Sequence, residues 1–128
     1  MRPYGAGHLA AVDSVTDSRK VQSMIRAVKS VHVSPALQGY LIDISEATRR
    51  HPALSLGASP RATLALQRMA RARAAAAGRN FATPDDVKAL ATHVLSHRLV
   101  LSHDAELRGA SAEDIVEEIL QVIPAGAA

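Results

Sequence analysis

Three times along the chain a hydroxyl residue stands immediately before a proline: Ser34-Pro35, Ser59-Pro60 and Thr83-Pro84. Each pair is a helix start. The hydroxyl oxygen accepts from a free N–H of the first turn, and proline at the first helical position lacks an N–H that would have no partner there. Alanine follows in quantity, 25 copies in 128 residues, while the rings number just three: Tyr4, Tyr40 and Phe81. Alanine loses no side-chain entropy on entering a helix. A core of Ala, Leu, Val and Ile with almost no rings needs closely approaching helices. The expectation is an all-α fold of one ordinary domain, a small helical bundle.

Caps and apolar spacing divide the chain into about five helices. The first covers about Asp17 to Lys29, where Thr16 or Asp17 can cap and Val21, Met24, Ile25 and Val28 recur at helical spacing. The second opens at Ser34-Pro35, with Leu37, Tyr40, Leu41 and Ile44 on its apolar face. It must end near Arg50, because His51-Pro52 disfavours helix. The third opens at Ser59-Pro60 and runs through an alanine-rich stretch to about Ala77, where Gly78 can close it in a left-handed conformation. It should be the central packing element, with Ala65 among its buried positions.

The fourth helix opens at Thr83-Pro84, with Thr83 and Asp86 at capping-box spacing, and carries Val87, Leu90, Ala91, Val94 and Leu95 on one stripe. The fifth follows Ser111, carries Ile115, Val116, Ile119, Leu120 and Ile123, and stops at Pro124. Ala53 to Leu56 and Leu99 to Leu101 are short apolar stretches outside these helices that can pair as one tiny two-stranded ribbon. The organisation expected is a loose N-terminus and connector helix over 1–30, a helical domain over 31–124 and a tail over 125–128.

No cysteine is present, which removes disulfides, thiolate metal sites and cysteine nucleophiles together. No stretch has the length of a signal peptide's apolar region or of a membrane span, so a cytoplasmic protein with no membrane partner is expected. The sequence pI is near 9.8 while the net charge is only +3. Bases gather modestly at Arg68, Arg71, Arg73 and Arg79, and acids from Asp104 to Glu118. A helical DNA-binding module would need one contiguous basic face, so nucleic acid is not the expected partner.

Other constellations carry bland readings. His93 and His97 lie one helical turn apart, but the zinc-protease pattern needs Glu where Val94 stands, and no metal is expected. Ser102, His103 and Asp104 contain the residue types of a catalytic triad, yet adjacent residues cannot converge on one reacting atom. Asp85 and Asp86 suit the first turn of a helix, while Arg49 and Arg50 end the second helix and Arg79 follows a helix C-cap, where cations favour the dipole. Any of those three arginines could instead face a nucleotide or a neighbouring subunit. Glu113, Asp114, Glu117 and Glu118 form the solvated start of the last helix.

An ordered set of short segments resembles the lid subdomain of MoxR-type AAA+ ATPases. The segments are Tyr40-Leu41-Ile42, Ala47-Thr48-Arg49, His51-Pro52, Leu56-Gly57-Ala58-Ser59-Pro60-Arg61-Ala62, Gly78-Arg79-Asn80-Phe81, Thr83-Pro84-Asp85-Asp86-Val87-Lys88 and Val94-Leu95-Ser96-His97-Arg98-Leu99. They span Val31 to Pro124, with residues 13 to 30 resembling the connector from an ATPase core. The resemblance implies a C-terminal lid that closes over ATP bound in an α/β core, with Arg61 as the sensor 2 residue reaching towards the γ-phosphate. It implies a ring-forming, chaperone-like ATPase in maturation or remodelling of other proteins, with von Willebrand factor A domain partners. The AAA+ core of the same protein would be the lid's first partner.

The residues themselves support a phosphate-facing end. Ser59 caps, Pro60 starts the helix and Arg61 lies in its first turn. Unpaired N–H groups and the dipole favour an anion there, and a guanidinium matches phosphate oxygens. A pure protein-interaction domain is the alternative reading. The chain lacks the Gly-x-x-x-x-Gly-Lys-Ser/Thr phosphate loop and an acidic strand end to hold Mg²⁺, so no catalytic residue is assigned within it. ATP and Mg²⁺ would be held through the absent core, not by this chain alone. The chain by itself is expected neither to hydrolyse nor measurably to bind ATP; phosphate release by the purified chain in a colorimetric assay would contradict this.

Overall fold

The structure, a computed structural model, describes residues 11–126. Among these, six α-helices and a two-stranded ribbon follow one another as α1 (Ser18–Lys29), α2 (Pro35–Arg50), β1 (Leu54–Leu56), α3 (Pro60–Ala76), α4 (Pro84–Leu95), a 3₁₀ turn (Ser96–Arg98), β2 (Val100–Leu101), α5 (His103–Leu107) and α6 (Ala112–Val122). This is the all-α bundle with one tiny ribbon that the sequence implies. The expected loose start and tail fall largely on residues 1–10 and 127–128, which lie outside the described residues. No helix among the described residues is long and apolar enough to cross a membrane.

The hydroxyl-proline starts act as the local chemistry requires. Ser34 accepts from Leu37 N–H at 3.1 Å and Ser59 from Ala62 N–H at 3.1 Å. Thr83 and Asp86 form a full capping box, each side chain accepting from the other's backbone N–H. Asp17 caps α1 by accepting from Lys20 N–H at 2.8 Å. Gly78 has φ +78°. Around it Arg79 N–H reaches Ala74 O at 2.9 Å and Gly78 N–H reaches Ala75 O at 3.0 Å, the paired bonds of a Schellman ending.

Helix α3 lies at the centre, against α1, α2 and α4. Its inward face is Ala62, Leu66, Ala70 and Ala74, each no more than 1% exposed. Three of the four are alanine, so neighbouring helices approach its backbone closely. Ala65, expected to be buried, is instead partly buried at the edge of this face. The inward line runs in steps of four residues, and Ala65 falls beside it. From α2 come Leu37, Tyr40, Leu41 and Ile44; from α4, Val87, Ala91, Val94 and Leu95; from α6, Ile115, Val116 and Ile119.

Two further departures have physical causes. The apolar stripe of α1 buries nothing fully: Val21, Met24 and Ile25 are 39%, 56% and 48% exposed. That helix touches the bundle along α3 and leaves its stripe beside Arg68 and Arg71. The sixth helix, α5, was not expected from apolar spacing. Its signal is polar: Ser102 accepts from Ala105 N–H at 3.2 Å, and Gly109 (φ +78°) ends it. The Ser102-His103-Asp104 run is thus a helix start.

The ribbon pairs β1 and β2 antiparallel, with Leu54 opposite Leu101 and Leu56 opposite Val100. Ser55 is the extra residue of the resulting bulge, and its hydroxyl donates to Val100 O and Leu101 O, both at 3.3 Å. A second tie joins the linkers on the other side: His32 N–H donates to Asn80 O at 2.8 Å, and Ala82 N–H to His32 O at 2.9 Å.

One charged group lies wholly inside. Asp86 is 0% exposed. Its carboxylate accepts from Arg79 Nη1 and Nη2 at 2.8 and 2.7 Å, from Arg73 Nη1 at 2.6 Å and from Thr83 N–H at 2.8 Å. The Arg79 hydrogen bonds outweigh desolvation and, with help from Thr83 and Arg73, hold the carboxyl well below the usual carboxylate range. This network ties the end of α3 to the start of α4. Arg79 also donates to Phe81 O at 2.9 Å and lies over the Phe81 ring.

Two stability measurements test these contacts. Ala70→Leu should overpack the α3 face and lower the unfolding free energy by about 1–3 kcal/mol in urea titration. Asp86 is ionised in the folded chain below the pH at which the unfolded chain protonates it. Its stabilisation is therefore complete above about pH 5 and falls, by up to about 1.4 kcal/mol per pH unit, as pH drops further. The urea midpoint of the native chain should fall more steeply between pH 5 and pH 3 than that of Asp86→Asn.

Candidate functional site

The end of the bundle where α3 begins brings together the residues expected to meet an anion. Ser59, Pro60 and Arg61 are all exposed, at the first turn of a 17-residue helix. The Arg61 guanidinium forms no hydrogen bond or ion pair with any described residue and is not drawn into the interior. Pro60 has no N–H and Ser59 takes that of Ala62, so the Arg61 N–H, the Ser59 hydroxyl and the guanidinium are the donors this turn offers a phosphate. A groove of about 400 Å³ runs beside it between α2 and α3, and Leu41, Ile42, Arg49, Pro60, Thr63 and Leu64 are among its walls. No carboxylate lines that groove. The donor set therefore suits the phosphates of a nucleotide and supplies no carboxylate to Mg²⁺.

The turn that leads into α3 is gripped by α2. Thr48, 1% exposed, donates through its hydroxyl to Ser45 O at 2.6 Å and accepts from Ala58 N–H at 2.8 Å. Arg49 Nε donates to Ala58 O at 2.8 Å. Both backbone polar groups of Ala58 are thereby held by two adjacent residues of α2. Gly57 makes this approach feasible: a Cβ there would stand 2.7 Å from the backbone N and Cα of Arg49. Past the turn, the hydroxyls of Ser45 and Thr63 share a hydrogen bond. Arg61 is thus bracketed by ties to α2 on both sides, at Ala58 and at Thr63.

This grip was not singled out from the sequence. For Arg49 the sequence offers a cation at a helix end, or one facing a nucleotide or a neighbouring subunit, and not a tie to Ala58. A signal was nevertheless present. Thr48 continues the buried line Leu37, Leu41, Ile44 at helical spacing, so a hydroxyl occupies a core position and needs a partner.

The other arginines separate by their partners. Arg79 and Arg73 are taken up by Asp86 within the bundle. Arg50 makes a loose surface pair with Glu46 at 3.7 Å. Two of the four middle arginines are therefore engaged with one buried carboxylate, which cancels one of their two charges and weakens the case for a basic nucleic-acid face. His93 and His97 are exposed, one on α4 and the other in the 3₁₀ turn, opposite Glu113 and Glu117 across a shallow groove. Among the described residues no three metal-ligating side chains converge. His103 and Asp104 are exposed on α5, with no nucleophile–base contact between them and Ser102.

Comparison with known proteins agrees with this arrangement. Residues 46–119 match the AAA lid domain family. The chain is 38% identical over 98 residues to the uncharacterized protein YeaC of Bacillus subtilis, covering 77% of this chain and 31% of that protein. It is 36% identical over 100 residues to the chaperone MoxR1 of Mycobacterium tuberculosis, covering 71% of this chain and 26% of the relative. A crystal structure of a candidate ATPase from Cytophaga hutchinsonii superposes with a TM-score of 0.74 at 31% identity, over 77% of this chain and 33% of that one. The chain spans about a third of the length of such relatives. The family match takes in the grip on Ala58, the start of α3 and the Asp86 network together, and on it the chain belongs to the AAA lid domain family, as a lid of MoxR type.

Proposed function

We propose that the chain acts as the lid over the nucleotide site of a MoxR-type AAA+ ATPase, with Arg61 as the sensor 2 residue. The observation that carries this reading is the state of Arg61: exposed at the start of α3, without a described partner, on a turn tied to α2 through the Ala58 backbone and the Thr63 hydroxyl. Ser59 and Pro60 support it by setting the helix start. Residues 31–124 serve as the lid, 1–30 as a loose N-terminus and the connector helix from the core, and 125–128 as a tail. The core of the same protein supplies the phosphate loop and the Mg²⁺ ligands, and closure brings Arg61 to the γ-phosphate.

In this reading the parent is a cytoplasmic, ring-forming, chaperone-like ATPase that matures or remodels other proteins with von Willebrand factor A domain partners. The relatives named MoxR and MoxR1 support that assignment by kinship. The lid contributes regulation and not catalysis: it senses whether the terminal phosphate is present and moves when it leaves.

The test is nucleotide affinity in the complex of this chain with its AAA+ core, followed with a fluorescent ATP analogue. Arg61→Ala should weaken binding by roughly 10- to 100-fold, the worth of one charge-assisted contact to phosphate. It should leave the melting temperature of the chain unchanged, because the side chain touches nothing in the bundle. Unaltered affinity in the complex would overturn the sensor assignment.

A further inference from the structure

We infer that Thr48 and Arg49 are positioning residues for Arg61, making the start of α3 a rigid extension of α2. This inference rests on the sensor reading of Arg61 for its purpose, though not for its geometry. Three independent features converge on one contact. Thr48 Oγ1 takes the Ala58 N–H at 2.8 Å, Arg49 Nε takes the Ala58 carbonyl at 2.8 Å, and Gly57 leaves no Cβ where one would stand 2.7 Å from Arg49 backbone.

The Ser59 cap and Pro60 already suffice to begin a helix. They determine that α3 starts there in the chain, but not where its first turn sits in space. Behind that turn the packing face is alanine at Ala62, a side chain with little to interlock. Polar ties to α2 supply the registration that packing cannot. Their bonds are directional, and the N–H and the hydroxyl are buried, so slippage would leave polar groups unpaired.

A guanidinium recognises phosphate through hydrogen bonds of about 2.7–2.9 Å, so a first turn free to shift by an ångström loses the match. Holding Ala58, three residues before Arg61, and Thr63, two residues after it, removes that freedom before any nucleotide arrives. The same ties route motion. A pull on Arg61 is transmitted to α2 through Ala58 and Thr63, instead of being absorbed by a loose turn.

Arg49 contributes through Nε alone. Its terminal nitrogens have no partner among the described residues, and the side chain is otherwise exposed. Truncating it therefore removes the tie without opening the core, which makes it the cleaner probe of the two.

The absence of native cysteine permits a direct test on the full chain. A nitroxide is attached at Arg61→Cys, with a control label at Arg68→Cys two turns along the same helix. In Arg49→Gln, Thr48→Val and Gly57→Ala backgrounds, the spectrum at 61 should gain a mobile component while that at 68 stays unchanged. Thr48→Ser, which keeps the hydroxyl, should restore the immobile spectrum. If Thr48→Val or Gly57→Ala fails to fold by circular dichroism, Arg49→Gln decides. An unchanged spectrum at 61 in folded Arg49→Gln overturns the inference, as does equal loosening at 61 and 68.

A second arm uses nucleotide affinity in the complex with the AAA+ core. Arg49→Gln should weaken binding by about 3- to 10-fold alone and add nothing in the Arg61→Ala background. Additive losses overturn the positioning role. If Arg61→Ala itself has no effect, the sensor reading fails, and the spin-label spectra still decide whether α2 holds the turn.

Discussion

The alanine face of α3 is the constraint on which the rest of the bundle depends. Ala62, Ala70 and Ala74 are almost wholly enclosed, and each presents one methyl where a core helix would ordinarily present a branched chain. Neighbouring helices therefore meet α3 backbone to backbone. Apart from Leu66 on α3 itself, the larger side chains of the core, among them Tyr40, Leu41, Ile44, Val87 and Leu95, come from the helices around it. A face so small gives little resistance to sliding, because interlocking side chains are what fix register between packed helices. The consequence is that both ends of α3 are secured by polar contacts.

Those two ends are secured differently. At its C-terminal end the chain turns through Gly78, and Arg79 with Arg73 encloses the Asp86 carboxylate at the start of α4. A buried carboxylate needs nearly all of its acceptor positions filled, and here two guanidinium groups and the Thr83 backbone do so. At the N-terminal end neutral groups do the work: the Thr48 hydroxyl and the Ala58 backbone, with the charged Arg49 reaching in from the rim. The charged node holds helix to helix, whereas the neutral grip holds a turn and leaves the cation beyond it free.

That difference suits the two ends to different tasks. Arg79 commits three of its five N–H donors to Asp86 and Phe81 and has its charge paired there, which leaves it ill-suited to grip a phosphate. Arg61 retains all of its donors because nothing in its own bundle competes for them. The backbone beneath it is nevertheless fixed, so its freedom is confined to the side chain. A free cation on a held backbone costs little entropy to engage and transmits displacement to the body that carries it. On the proposed lid reading, such an end is where a missing phosphate is first felt.

Much of the fold was legible in the residues, because helix starts and stops are local chemistry. Ser34, Ser59 and Thr83 before proline, Asp86 three residues into its helix and Gly78 at the left-handed ending all act within one turn of their own positions. The ribbon was also visible as two apolar stretches outside the helices. The short helix α5 escaped notice because its signal is a cap and a glycine, without enough apolar residues to show a period. The exposed stripe of α1 could not be told from a buried one, since periodicity says which residues share a face but not what covers it.

What the sequence by itself determined is five of the six described helices, the ribbon and the place of Arg61 in the first turn of one helix. The tertiary structure decided which polar groups meet: Asp86 with two arginines, and Thr48 with Arg49 on either side of Ala58, ten residues away in the chain. Capping is settled by neighbours three or four residues apart, so it can be read along the chain. Partners brought together across a loop depend on how helices pack, and packing against an alanine face depends on every neighbour at once.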